Sequence, residues 1–179
     1  MGGWRSIQSA VLCGAVCACH ALSQGTLAHL SPHEAIIQML AGKPVQVEYG
    51  RPYLRDRRLI GNIVKYGQMW RTGADEAPVL SVEGAITIGN LKVPAGRYSL
   101  FTIPEKDHWT LVINKVPDLM GRNNYNRKKD LGRVQMSLDT RHAATEQFTI
   151  SIDKTSDNSG VLKMAWGTVS VSVPIAAAE

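Results

Sequence analysis

Two short stretches of the sequence bring together side chains that could bind a ligand or take part in catalysis. The first is Tyr-Gly-Arg-Pro-Tyr at residues 49–53, in which an arginine lies between two tyrosines and just before a proline. The planar guanidinium group can hold a carboxylate or a phosphate through two parallel hydrogen bonds. The same arginine could instead cap a strand end by donating to loop carbonyls. Arg51 and Tyr53 are therefore candidate ligand-binding residues, and the capping role remains an open alternative.

The second stretch is Tyr-Gly-Gln-Met-Trp-Arg-Thr-Gly-Ala-Asp-Glu-Ala at residues 66–77. Trp70 beside Arg71 could form one wall of a ligand pocket, with Asp75 or Glu76 as a hydrogen-bond acceptor or general base. These four residues are candidate ligand-binding residues too. In the alternative interpretation, Arg71 pairs with Glu76 in a buried network that attaches this loop to the fold, and Trp70 belongs to the core.

Known catalytic and metal-binding motifs do not extend this set. The sequence has no G-x-S-x-G nucleophile motif and no glycine-rich phosphate loop, and its histidines are scattered along the chain. We therefore predict no cofactor and no metal site, and we assign no catalytic residue. Thiol chemistry is excluded as well, because the three cysteines all lie among the first 19 residues, in a segment that we expect to be an export signal.

The first 23 residues have the layout of an export signal. A single positive charge at Arg5 precedes an uncharged apolar run at residues 10–19, and Ala-Leu-Ser at residues 21–23 provides a small-x-small cleavage site. We expect cleavage after Ser23, followed by a short linker at residues 24–30. An alternative is a degenerate lipoprotein motif that ends at Cys19 and would leave the domain anchored to a membrane by lipid. Either way the protein is expected in the periplasm or outside the cell.

The charge of the chain is mildly basic. The whole sequence carries a net charge of +5, and loss of Arg5 leaves 19 Lys and Arg residues against 15 Asp and Glu, a net charge of +4. Arginines at 51, 55, 57 and 58 form one cluster and the basic residues 127–129 another. Such clusters can bind polyanions or can simply be solvated loops. Export and the absence of nucleic-acid-binding motifs argue against a nucleic-acid partner.

The order of apolar and polar residues predicts an all-β fold. Alternation with period two predicts strands, and glycine and proline separate them. Residues 33–40 are compatible with a helical turn or a strand, and we favour the strand. Many short strands with turns between them predict a single-domain antiparallel β-sandwich or barrel, jelly-roll-like, with two long loops at residues 50–76 and 117–133. The other predicted strands are residues 45–49, 77–82, 85–88, 91–93, 97–103, 109–114, 134–138, 147–153, 161–166 and 168–173.

Seven ordered sequence blocks within residues 31–175 resemble the bacterial family known as domain of unknown function 2911. They are Ser-Pro at 31–32, Tyr-Gly-Arg-Pro at 49–52, Arg-Leu-Ile-Gly at 58–61, Tyr-Gly-x-x-Trp-Arg-Thr-Gly-Ala at 66–74, Val-Pro-Ala-Gly-x-Tyr-Ser-Leu-Phe-Thr-Ile-Pro at 93–104, Trp-Thr-Leu-x-x-Asn-Lys at 109–115, and Trp166 with Val-Pro-Ile at 173–175. The family has no established activity, and the resemblance implies an exported domain at residues 31–175 with a short tail at 176–179.

Two positions depart from the pattern expected for that family. Asp75 stands where Asn is expected, which adds a negative charge beside Glu76. Pro78 stands where Thr is expected. Because proline cannot donate to a strand ladder, we expect Pro78 at a sheet edge or at the first position of a strand.

Three functions fit these observations. The first is a module that binds a small anionic or sugar-like ligand, a metabolite or a glycan, through the candidate residues. The second is a hydrolase or isomerase with Glu76 or Asp75 as general base and Arg71 stabilising an anionic intermediate. The third is a structural or accessory envelope protein that engages a partner through a sheet edge or its basic loops. We favour the binding module, and the sequence predicts no oligomeric state.

Overall fold

A computed structural model describes Met1 and residues 31–120, 124–139 and 143–178. The predicted export signal and linker lie outside these residues. The described part of the chain contains a short helical turn at Arg127–Lys129 and an irregular turn at Leu59–Ile63, in which Ile60 and Gly61 have non-helical backbone angles, and neither is long and apolar enough to span a membrane. Its strands are β1 His33–Leu40, β2 Lys43–Gly50, β3 Ala74–Val82, β4 Ile86–Ile88, β5 Leu91–Val93, β6 Gly96–Pro104, β7 His108–Asn114, β8 Asp130–Asp139, β9 Thr145–Lys154, β10 Ser159–Gly167 and β11 Val169–Ala177.

These strands form one antiparallel sheet that nearly closes into a barrel. The order of hydrogen-bonded neighbours is β1-β2-β3-β6-β7-β8-β11-β10-β9, and the β4–β5 hairpin is attached through β4 to the end of β11. Strands β1 and β9, the two ends of this path, contact each other. The predicted all-β antiparallel fold is confirmed, and the structure selects the barrel rather than the sandwich.

The period-two pattern explains which residues face the barrel interior. In β2, Val45, Val47 and Tyr49 are buried, whereas the side chain of Glu48 between them is exposed. The prediction that residues 33–40 form a strand is confirmed as well. β1 pairs with β2 over its full length, and the hairpin turn between them uses residues with positive φ, Ala41 and Gly42.

The first long loop, residues 51–73, is packed against the barrel. Several of its apolar side chains are buried, including those of Leu59, Val64 and Trp70. Its last part runs beside the end of β6. Trp70 N donates to Thr102 O at 2.7 Å, and Thr102 N donates to Trp70 O at 3.0 Å. These two bonds extend the sheet by a short segment, which fixes the backbone where Trp70 enters the core.

The second long loop differs from its prediction. Because β8 already begins at Asp130, the connection spans residues 115–129 rather than 117–133. Its described part lies on the outer face of the sheet, where Leu119 is buried against Phe101 and Val112. Leu119 O also accepts a hydrogen bond from Ala77 N of β3 at 3.0 Å. This second, smaller apolar cluster holds the loop against β3, β6 and β7.

The prediction for Pro78 is wrong, and a wide bulge in β3 explains why. Val79 pairs with Glu48 and Ala74 pairs with Gly50, so residues 75–78 stand opposite a single residue of β2. Pro78 therefore lies inside a strand between two neighbours, at a place where the ladder is interrupted and no backbone donor is needed. The same bulge carries Asp75 and Glu76 out of the regular sheet.

Candidate functional site

Four aromatic side chains fill one end of the barrel. Trp70 stacks on Trp166 with ring centroids 5.6 Å apart and an angle of 18° between the planes, and it makes edge contacts with Trp109 and Phe148. Trp166 Nε1 donates to Glu146 O at 3.1 Å. Trp109 lies at the start of β7, Phe148 near the start of β9 and Trp166 at the end of β10. These antiparallel strands bring the rings to the same end, which we call the mouth of the barrel.

An open cavity of about 860 Å3 lies at the mouth, and two rings of the aromatic cluster form part of its wall. A cavity of this size is in the range that binds small molecules, and barrel mouths are common places for such sites. The cavity is lined by Ser31, Pro52, Tyr53, Arg55, Arg57, Ile63, Val64, Lys65, Gln68, Met69, Trp70, Arg71, Gly73, Ala74, Asp75, Met120 and Trp166.

The charged residues in this lining are mainly cations. Arg55, Arg57, Lys65 and Arg71 line the cavity together with one carboxylate, that of Asp75. Arg71 is half-buried and its Nε donates to Gly73 O at 3.2 Å, which leaves its two terminal nitrogens without a hydrogen-bond partner among the described residues. A guanidinium group in this state can donate two further hydrogen bonds to an anion.

The other cationic side chains of the lining differ in whether they are hydrogen-bonded to the protein. Arg57 donates from Nε to Leu54 O at 2.8 Å and from Nη2 to Tyr53 O at 2.7 Å. Its guanidinium group therefore holds the loop in shape and contributes mainly its charge. The exposed side chains of Arg55 and Lys65 have no hydrogen bond or ion pair with any described residue.

Asp75 and Glu76 lie in different surroundings, although they are adjacent in the bulge. Oδ2 of Asp75 is buried and has no hydrogen-bond partner among the described residues, and Nε2 of His33 is 3.9 Å away. Oε1 of Glu76 lies 3.1 Å from the same Nε2 of His33, and Glu76 does not line the cavity. The pairing of Arg71 with Glu76, the alternative drawn from the sequence, is not formed.

Arg51 does not line the cavity but joins β2 to β9. Its Nη1 is 3.1 Å from Glu34 Oε2, its Nε donates to Phe148 O at 3.2 Å, and its Nη2 donates to Thr149 Oγ1 at 3.0 Å. Arg51 therefore bonds to the protein itself, but its partners belong to strands β1 and β9 and are not the loop carbonyls of the capping alternative. These contacts lie where β1 and the end of β2 meet β9 without a strand ladder, and we call this place the seam. Just beyond it, Phe148 N donates to Pro52 O and Leu54 N donates to Glu146 O, both at 2.9 Å.

Tyr49 is the buried member of the seam. Its hydroxyl donates to Glu34 Oε2 at 2.8 Å and accepts from Ile150 N at 2.9 Å. Burial raises the pKa of Tyr49 to about 12, so the phenol keeps its proton at neutral pH. The side chain thus takes the place of a backbone partner for β9.

The structure brings four of the six sequence candidates, Tyr53, Trp70, Arg71 and Asp75, to the wall of one cavity. Sequence reasoning did not select four other lining residues, Arg55, Arg57, Lys65 and Trp166. Arg55 and Arg57 belong to the basic cluster seen in the sequence, and Trp166 belongs to a block that carries the family resemblance, so both features were usable signals. Lys65 had no signal, because it lies in a loop without a pattern. Among the described residues no three His, Cys, Asp or Glu side chains converge on a site for a metal ion.

Fold and site together define a single-sheet antiparallel barrel with a basic cavity at its mouth. The chain belongs to the family described as a protein of unknown function, DUF2911, whose model matches residues 31–175 and confirms the resemblance seen in the sequence. No match was found among the curated proteins or among the solved structures.

Proposed function

We propose that this protein is an exported module that binds a small anionic ligand in the cavity at the mouth of its barrel. The observation that carries the proposal is the lining of that cavity, in which four cationic side chains accompany one carboxylate. An excess of one sign of charge in a concave site raises the local concentration of ligands of the opposite sign.

Arg71 is the side chain best placed to bind the anion. It is half-buried, and a charge-assisted hydrogen bond is stronger where water is partly excluded. Because Nε already donates to Gly73 O, the orientation of the guanidinium group is set before a ligand arrives. Arg55 and Lys65 add exposed positive charge that would attract the ligand and contribute less to its retention.

The cavity supports binding better than the hydrolase or isomerase with Glu76 or Asp75 as general base. Glu76 contacts His33 instead of lining the cavity, and one oxygen of Asp75 is buried. A sugar-like ligand would find an exposed aromatic ring in Tyr53 and an acceptor in Asp75. The four cationic side chains of the lining nevertheless favour an anion. Export remains part of the proposal because residues 1–23 have the layout of an export signal.

Calorimetric titration of the full chain with phosphate, citrate, glucuronate and octanoate, each at low and high salt, tests the proposal. We expect at least one of these anions to bind, with an affinity that falls as ionic strength rises. Arg71→Gln should weaken this binding about tenfold, as expected for the loss of one charge-assisted hydrogen bond. Arg127→Gln, which removes an exposed arginine outside the cavity, is the matched control and should change nothing.

The variant Arg71→Lys controls for a loss of stability, because it keeps the positive charge and removes only the planar guanidinium group that donates two parallel hydrogen bonds. Its affinity should lie between those of the wild type and Arg71→Gln. Absence of binding by every anion in the wild type, or equal affinities in the wild type and a folded Arg71→Gln protein, would contradict the proposed function.

A further inference from the structure

We propose that the ligand is an amphiphilic organic anion, whose alkyl or aryl body enters the cavity while its carboxylate or phosphate group remains at the rim. This inference rests on the proposed anion-binding function and adds the chemistry of the uncharged part of the ligand. It comes from the way in which polarity changes with depth in the cavity.

The bottom of the cavity is apolar. The lining residues that are buried in the fold are Val64, Trp70, Gly73, Ala74 and Trp166. Four of them, Val64, Trp70, Ala74 and Trp166, have hydrocarbon or indole side chains, and Gly73 has backbone atoms alone. The indole nitrogen of Trp166 already donates to a backbone oxygen, that of Glu146. Water molecules at such a surface form few hydrogen bonds with it, so their replacement by an apolar group of the ligand is favourable.

Apolar side chains continue along the wall towards the rim. Ile63 and Met69 are half-buried lining residues, and Met120 at the rim is 60% exposed. Methionine side chains are flexible and polarisable, and they adapt to apolar ligands of different shape. A solvent-exposed methionine at the rim of a cavity with an apolar bottom would be covered by the body of an amphiphilic ligand.

The rim is cationic. Arg55 and Lys65 are exposed, and their charged groups have no partner among the described residues. Arg71 lies deeper and is half-buried, with its two terminal nitrogens available. A ligand with its body at the bottom would place its charged end among these three side chains, where water remains accessible and the cost of desolvating the anion is small.

A hydroxylated ligand fits this arrangement poorly. Besides the indoles, the uncharged hydrogen-bonding side chains of the lining are those of Tyr53 and Gln68, which are exposed, and Ser31, which is half-buried. The acidic side chain is Asp75. A sugar inserted to the bottom would lose hydrogen bonds to water at most of its hydroxyls without replacing them, which costs free energy for each group. The apolar bottom therefore favours an alkyl or aryl body over a sugar ring.

A series of straight-chain carboxylates tests the inference with the full chain. Acetate, butanoate, hexanoate and octanoate are titrated by calorimetry, with octanol and glucuronate as comparators. We expect the dissociation constant to fall about fourfold for each methylene that enters the cavity, which corresponds to about 0.8 kcal/mol per buried CH2. Octanol, which lacks the charge, and glucuronate, which lacks the apolar body, should both bind more weakly than octanoate.

Variants that remove charge from the cavity measure the contribution of the ligand's charged end separately from that of its apolar body. The double variant Arg55→Gln with Lys65→Gln should weaken every carboxylate of the series by the same factor, about fivefold, because only the charged end is affected. The fourfold gain for each methylene should remain unchanged. Asp75→Asn should strengthen carboxylate binding, because it removes a negative charge from the lining, and Arg127→Gln should have no effect on either quantity.

Three results would overturn the inference while leaving the proposed function intact. They are equal affinities for acetate and octanoate, tighter binding of glucuronate than of octanoate, and weaker binding of glucuronate by Asp75→Asn than by the wild type, which would make Asp75 a hydrogen-bond acceptor for a hydroxylated ligand. Failure of all anions to bind, or octanol binding as tightly as octanoate, would remove the proposed function as well.

Discussion

Tyr49 shows how a single buried hydroxyl can replace part of a strand ladder. β9 lies at one end of the sheet, and at Ile150 its backbone N–H points to the Tyr49 hydroxyl at 2.9 Å rather than to another strand. The same hydroxyl donates to Glu34 of β1 at 2.8 Å. One side chain of β2 therefore connects β1 and β9, the two ends of the sheet, which have no strand ladder between them.

Tyr49→Phe should lower the free energy of unfolding by about 1–3 kcal/mol, because the ring still fills its place but the buried Ile150 N–H loses its acceptor. Urea unfolding at neutral pH measures the difference. Tyr53→Phe is a suitable control, since the ring of Tyr53 is exposed at the cavity rim. Equal stability of the wild type and Tyr49→Phe would show that the hydroxyl does not contribute to closure of the barrel.

The raised pKa of Tyr49 gives this difference a pH dependence of known sign. The pKa is about 12 in the folded protein, against 10.0 for a tyrosine side chain in water, so the unfolded state loses the proton first as pH rises. The stabilising contribution is complete below pH 10 and is lost between pH 10 and about 12. The advantage of the wild type over Tyr49→Phe should shrink across this window, and a gap that stays constant would contradict the assignment.

At the scale of elements, the sequence predicted the strands well because their pattern is local. Alternation in residues 45–49, for example, needs only neighbouring positions to be read, and β2 contains this stretch. The bulge of β3 could not be read in this way. Residues 75–78 form the bulge because they have only one residue of β2 opposite them. This mismatch depends on the register between the two strands and not on the sequence of either strand alone.

The candidate site, too, could be predicted only where its residues are neighbours in the sequence. Trp70 and Arg71 could be selected because an aromatic and a cation are adjacent in a loop, and both line the cavity. Arg51 could be noticed for the same kind of reason, but its partners Phe148 and Thr149 lie almost a hundred residues away. Whether an arginine meets a ligand or the protein itself is decided by such distant contacts, which one sequence does not reveal.

The seam should open more easily than the rest of the barrel when Arg51 is removed. Arg51→Gln loses the contact with Glu34 and the two hydrogen bonds to β9. The partly exposed ion pair contributes little, so we expect mainly the two lost hydrogen bonds to lower the free energy of unfolding, by about 1–2 kcal/mol. Hydrogen exchange should accelerate in β1 and at residues 146–150 of β9, while β6 and β7 in the middle of the sheet stay protected.

Arg97→Gln is the matched control for this variant, because Arg97 also forms an ion pair, with Asp118, but away from the seam. It should leave exchange in β1 and β9 unchanged. Uniformly faster exchange in every strand of Arg51→Gln would mean that the barrel unfolds as one unit and that the seam is not an independent point of opening.

At the scale of the whole molecule, the fold does not depend on cysteine chemistry. The three cysteines of the chain all lie among its first 19 residues, outside the barrel that begins with β1 at His33. A sheet of this size can bury a large enough core without disulfides. The barrel is held by its ladders, by the aromatic cluster at the mouth and by the seam.

This separation makes the export proposal testable by mass. When the full chain is produced in a bacterium, we expect a periplasmic or secreted product that begins at Gln24 and contains no thiol, as measured by intact mass and by thiol labelling. A membrane-bound product that begins at a lipid-modified Cys19 would instead support the anchored form. Since the barrel contains no cysteine, its melting temperature should be the same with and without reductant. A full-length cytoplasmic product would contradict export, and the anion-binding proposal would then be tested with intracellular metabolites.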